Sequence, residues 1–108
     1  MKTFTVAEQE QARGAEPWIE FQRADDISTG LYVLDVGESD EQEPHTEDEI
    51  YVCMSGRAKF VTPNGECEVR PGTVIFVPAH EEHRFVAITE RLLLVVVFAP
   101  AEGSRARD

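Results

Sequence analysis

From Trp18 onward the hydrophobic positions fall in short runs, broken by turn residues at intervals of roughly eight to twelve. That spacing predicts a β-sandwich or barrel. Leu31-Tyr32-Val33-Leu34-Asp35-Val36 is rich in strand formers. Alternation over Glu49–Ser55 puts Glu49, Tyr51, Cys53 and Ser55 on one face and Ile50, Val52 and Met54 on the other. Arg57–Val61 follows, and Gly56 between the two runs permits a bend or bulge. Pro63-Asn64-Gly65 is the strongest hairpin signal, since Asn-Gly accepts the positive φ of a tight two-residue turn. It predicts Glu66–Arg70 returning antiparallel, with a further turn at Pro71-Gly72. Thr73–Val77 is a β-branched strand stopped by Pro78, and Arg84–Ile88 and Arg91–Phe98 complete the set. Leu92–Phe98 lacks alternation, so both of its faces are expected to be covered. Residues 6–13 carry a weak helical pattern. The chain thus divides into an N-terminal arm (1–17), a β-rich body (18–100) and a polar tail (101–108), the last expected to fray.

Composition narrows the function classes. At 108 residues the chain is one domain, and 42% hydrophobic with 29% charged residues is ordinary for a soluble globular protein. Twenty-one acidic residues against ten basic ones give a formal charge of −11. No nucleic-acid footprint is expected, and anionic membrane surfaces would repel the protein. The longest apolar run, Leu92–Pro100, is too short to span a bilayer. The N-terminus lacks the apolar core of a secretory signal, so a cytoplasmic location is expected. Cys53 and Cys67 form no CxxC pair and read as reduced thiols, small hydrophobes within strands.

Eight of the 21 acidic residues lie between Asp35 and Glu49. Such a stretch reads either as a solvated loop or as part of a site. The feature favouring a site is His45 among the acids, followed four positions later by a Glu entering a strand. His45 from the loop and Glu49 from the first inward strand position can meet one cation. Imidazole plus carboxylate suits iron(II), manganese, nickel and zinc. A third ligand must come from His80 or His83, which follow Pro78 at the end of another strand.

Both segments resemble the two motifs of the cupin superfamily. Gly37, five residues, Glu43, Pro44, His45, three residues, Glu49, six residues and Gly56 keep the spacing of the first motif, with Glu43 where its first histidine normally stands. Gly72, five residues, Pro78, Ala79, His80, two residues and His83 keep the second, with His80 in place of a glycine and Ala87 in place of an asparagine. The resemblance spans Gly37–Ala87, about half the chain. It implies an all-β, double-sheet jelly-roll barrel with a divalent metal in its mouth, iron(II) or manganese foremost, with zinc and nickel compatible. The implied ligands are His45, Glu49 and His83, a two-histidine, one-carboxylate set with open positions for substrate or dioxygen. Three roles are open to Glu43: fourth ligand, general base, or solvated bystander. His80 reads as a loop residue at the barrel mouth, and Arg84 as pointing away. Tyr51, Cys53 and Ser55 should line the cavity, where Tyr51 is either barrel filling or a catalytic hydrogen-bond donor to substrate. The apolar outer face of Ile50, Val52 and Met54 suggests a homodimer, common among small cupins. The expected function is metal-dependent enzyme chemistry on a small organic molecule, with dioxygen-dependent oxidation favoured. The rivals are non-redox isomerase, lyase or decarboxylase chemistry, and a non-catalytic module that binds a small ligand or metal.

Overall fold

Two long antiparallel strands, β3 (Asp48–Thr62) and β6 (Arg84–Ala99), carry the architecture of the computed structural model, which describes residues 1–106. The remaining elements are α1 (Val6–Arg13), β1 (Trp18–Arg23), β2 (Ser28–Leu34), β4 (Gly65–Val69) and β5 (Val74–Val77). The first half of β3 lies between β5 (Glu49↔Val77 to Val52↔Val74) and the second half of β6 (Glu49↔Phe98 to Cys53↔Leu94). Its second half lies between β4 (Ala58↔Val69 to Thr62↔Gly65) and the first half of β6 (Phe60↔Phe85). Register shifts between Cys53 and Lys59 bend both strands, so each passes from one sheet into the next. The result is the all-β, double-sheet jelly roll. Beyond β6, β2 and then β1 extend the first sheet.

The four predicted segments 49–55, 57–61, 84–88 and 91–98 are therefore two continuous bent strands. Gly56 sits in the bend at φ 98°, where a Cβ would collide with the Arg91 carbonyl. Alternation survives as far as Cys53 and fails at the bend. Glu49, Tyr51 and Cys53 are buried, whereas Ser55 is exposed, contrary to expectation. The hairpin turn also differs by one position. Pro63 and Asn64 form the loop, and the positive φ falls on Gly65, already paired with Thr62.

Leu92, Leu94, Val96 and Phe98 face the barrel interior with Tyr51, Phe60 and Phe85. Leu93 faces the other way and packs with Leu31 and Val33 under Val6, Ile19 and Phe21. Both faces of that run are covered, as its lack of alternation predicts. Helix α1 starts at Thr5, whose hydroxyl accepts the Glu8 N–H, and its Val6 helps close the outer cluster. The tail departs from expectation. Ala101 is only 1% exposed, and residues 101–105 form a turn bonded back to the barrel. Arg107 and Asp108 lie outside the described residues.

Candidate metal centre

His45 comes from the loop before β3, Glu49 from its first inward position, and His83 from the residue before β6. Each offers a ligand atom, and the three atoms lie within 4.8 Å of one another. Glu49 Oε1 is 3.1 Å from His83 Nε2, with both side chains 1% exposed. Glu49 Oε2 is buried with no hydrogen-bond partner. A carboxylate oxygen left unpaired in a protein interior is costly unless a cation meets it. That orphan, facing two imidazoles, fits a divalent metal. His83 Nδ1 lies 2.8 Å from the Glu81 carbonyl, so Nδ1–H donates there and Nε2 turns to the cluster. Burial opposes charge on His83, but the bonds to Glu49 and Glu81 and the Glu49 charge outweigh it and raise its pKa.

Tyr51, two positions along β3 from Glu49, is fully buried. Its hydroxyl donates to Gln42 Oε1 at 3.0 Å and lies 3.0 Å from His83 Nε2. Burial, then the Glu49 charge, pushes the phenol well above its ordinary pKa, so it remains a donor. The loop residue at the cluster is Gln42, not Glu43, which is exposed and outside the triad. The physical cause is Asp40. Its buried carboxylate accepts from Tyr32 Oη (2.7 Å), the Phe85 N–H (2.8 Å) and Gln42 Nε2 (2.9 Å). Those bonds pin the loop one residue early and fix the Gln42 amide, leaving Oε1 aimed at Tyr51 and at His45 Nε2, 3.1 Å away. Exposed and outside the triad, Glu43 supplies no ligand atom to the three-residue cluster in this arrangement.

His80 is exposed and outside the triad, and its N–H donates to the His45 carbonyl at 2.7 Å. Arg84 is exposed, as strand alternation predicts. Among the described residues, His80 (φ 69°) and Ala87 (φ 50°) are the two non-glycine residues at positive φ. These are the positions where the second motif's glycine and asparagine would stand. The motif's preference there is a backbone requirement, since glycine and asparagine tolerate left-handed geometry best.

A cavity of about 170 Å³ adjoins the triad, lined by Trp18, Tyr32, Gln42, His45, Glu49, Tyr51, Val96, Phe98 and Glu102. Trp18 lies across Gly30, where a Cβ would strike its ring. Glu102 Oε2 is 3.6 Å from His45 Nδ1. Burial raises the Glu102 pKa against the lowering effect of His45, helped by the charges of Glu20, Glu49 and Glu47. The C-terminal turn delivers this residue. Glu47, itself buried, accepts the N–H groups of Gly103 (2.9 Å) and Arg105 (3.0 Å), and the Glu102 N–H donates to Ser28 Oγ (2.9 Å). Gln42 and Glu102 are the site residues that sequence reasoning missed. The available signal for Glu102 was indirect: Glu47, an acid just before an inward strand position, needs donors from somewhere.

Residues 30–98 match the Cupin domain family. The chain belongs to the cupin family. An uncharacterised protein of Streptomyces coelicolor is 41% identical over 105 residues, covering 95% of this chain and 100% of its own. A Rhizobium leguminosarum protein of unknown function has a similar structure, with a TM-score of 0.77 and 22% identity over 93% of this chain and 97% of its own. A Thermus thermophilus protein superposes with a TM-score of 0.74 and 23% identity, covering 94% of this cupin and 99% of its own chain. At such identities the two solved structures speak for the fold. The triad rests on this cupin's own geometry.

Proposed function

We propose that this cupin is a metal-dependent enzyme acting on a small organic molecule, with His45, Glu49 and His83 holding iron(II) or manganese and dioxygen-dependent oxidation as the reaction class. The observation carrying the reading is the buried, unpartnered Glu49 Oε2 beside two imidazoles. A bound ion of this kind would supply open coordination positions and, as iron(II), reducing electrons. The chain's residues do the rest. Glu81 holds His83 in the tautomer that turns Nε2 inward. Tyr51 fixes Gln42, whose amide oxygen lies beside the cluster. Val96 and Phe98 exclude water from the cavity wall. Elemental analysis of protein purified without a chelating tag, followed by oxygen-uptake measurements on the loaded enzyme, tests the reading. Bound iron or manganese with substrate-dependent oxygen uptake is expected. Protein that takes up none of iron, manganese or zinc would overturn it.

Non-redox isomerase or lyase chemistry is the second reading. A further carboxylate, Glu102, on the cavity wall favours it, because such reactions need a proton acceptor. Turnover without oxygen uptake would select it. We further infer a cytoplasmic homodimer. On the outer face, Ile50 opposes Phe76 and Val52 opposes Val74, and Val74 (63%) and Phe76 (61%) are largely exposed.

A further inference from the structure

Trp18, Tyr32, Tyr51 and Phe98 line the cavity beside the triad. Trp18 meets Tyr32 and Phe98 edge to face, at centroid distances of 6.4 and 6.2 Å and interplanar angles of 70° and 80°. Edge-to-face packing sets these rings at different angles around one small space. Glu102 joins that wall, and none of the lining residues is a lysine or arginine. Arg23 reaches only the Glu102 carbonyl, at 2.9 Å, and its guanidinium is also paired with Glu20. The side chain of Glu102 is held in place from its backbone, through Ser28, Arg23 and the Glu47 bonds to the following residues.

We propose that this cavity selects a small organic cation, an alkylammonium whose charge rests on the Glu102 carboxylate and the faces of Trp18 and its aromatic neighbours. An aromatic enclosure with a carboxylate and no lysine or arginine is one way proteins recognise ammonium groups, and His45 Nδ1, 3.6 Å from Glu102 Oε2, is the basic side chain that competes for that carboxylate. An anionic ligand would instead meet the Glu102 carboxylate with no lysine or arginine in the cavity wall to offset it. The formal charge of −11 favours the approach of cations from solution. The proposal deepens the functional reading of the same cavity and rests on it, the cation being the substrate presented to the triad.

Trp18 is the chain's single tryptophan, so its emission reports on the cavity. The test titrates choline, its uncharged tert-butyl isostere and the corresponding carboxylate into metal-free and manganese-loaded protein. Choline is expected to bind about tenfold or more tighter than the isostere, with the carboxylate weakest. Glu102→Gln removes the charge while keeping the backbone bonds of the turn. It is expected to weaken choline about tenfold and leave the isostere unchanged. Trp18→Leu, read by calorimetry, should narrow the same preference. The proposal is overturned if the isostere or carboxylate matches choline, if Glu102→Gln leaves choline affinity unchanged, or if no probe alters Trp18 emission. Manganese binding measured on the same samples separates the failures. Bound manganese without charge preference sinks the cation assignment alone. Charge preference without metal uptake sinks the metal reading alone.

Discussion

Replacing Glu47 with alanine releases the C-terminal turn from the barrel, and the cost can be worked from its bonds. The side chain is 2% exposed; Oε1 accepts the Gly103 N–H and Oε2 the Arg105 N–H. A bond to a charged acceptor contributes about 1.5–3 kcal/mol. The lower figure applies, because Gly103 and Arg105 are exposed and their freed N–H groups can turn to water. Two bonds give about 3 kcal/mol for Glu47→Ala, a fall in melting temperature of about 12 °C for a domain of this size. Glu47→Gln keeps one oxygen acceptor, so about half that loss is expected. Acid titration supplies a second check. Burial opposes the Glu47 charge, but bonds from Thr46, Gly103 and Arg105 outweigh it and hold the carboxyl below its ordinary value of 4.5. A depressed folded-state pKa gives stability that is fully present above the unfolded value and is lost as pH falls through the folded one. The gap between wild type and Glu47→Gln should thus be constant near neutrality and shrink under acid conditions. Urea denaturation followed by circular dichroism across that range measures it. An unchanged midpoint for Glu47→Ala, or a gap that widens on acidification, would refute the reasoning.

Four further outcomes are expected. His45→Ala and His83→Ala should each lower metal affinity by about 100-fold or more, since three protein ligands are near the minimum for a catalytic site. His80→Ala and Glu43→Gln should leave metal content intact, whereas Gln42→Ala weakens it by roughly 10-fold; equal effects at Glu43 and Gln42, by plasma emission analysis, would count against the loop placement. Ala87→Gly should stabilise by about 0.5–1 kcal/mol, because relief of the left-handed strain exceeds the added chain entropy; a lower urea midpoint would contradict that backbone account. Val52→Lys should yield monomeric or insoluble protein, and sedimentation of the wild type as a monomer at micromolar concentration would remove the dimer proposal.

Periodicity made some of this molecule legible and left other parts dark. The alternation through Glu49, Tyr51 and Cys53 translated directly into a buried face, because a strand has only two sides. The unbroken run at Leu92–Phe98 likewise announced two covered faces. At Ser55 the same rule failed, since the bulge that bends β3 also resets which side faces inward. Loops carry no such period. Motif spacing placed His45 beside Glu49, yet put Glu43 at the first histidine's position and left its role open, where Gln42 is the residue that reaches the cluster. The choice depends on Asp40 bonding a residue 45 positions away, the Phe85 N–H. The tail misled for a related reason. Its polar composition suggests fraying, and bonds to the distant Glu47, Ser28 and Arg23 make it a wall of the cavity.

The placement of β6 between β2 and β3 governs when this protein can exist during synthesis. Leu34 of β2 pairs with Leu92, so the β1–β2 hairpin waits for residues made long after it. At ribosomal rates of about 5–20 residues per second, the separation from Leu34 to Leu92 corresponds to roughly 3–12 s. Throughout that interval Leu31, Val33 and Leu34 lack their β6 partners, and the hairpin offers an open edge to other nascent chains or to chaperones. His45 and Glu49 emerge early, but His83 directly precedes β6. The three-residue set is therefore assembled by the insertion of the central strand, which would make any metal capture a late event in the maturation of the chain.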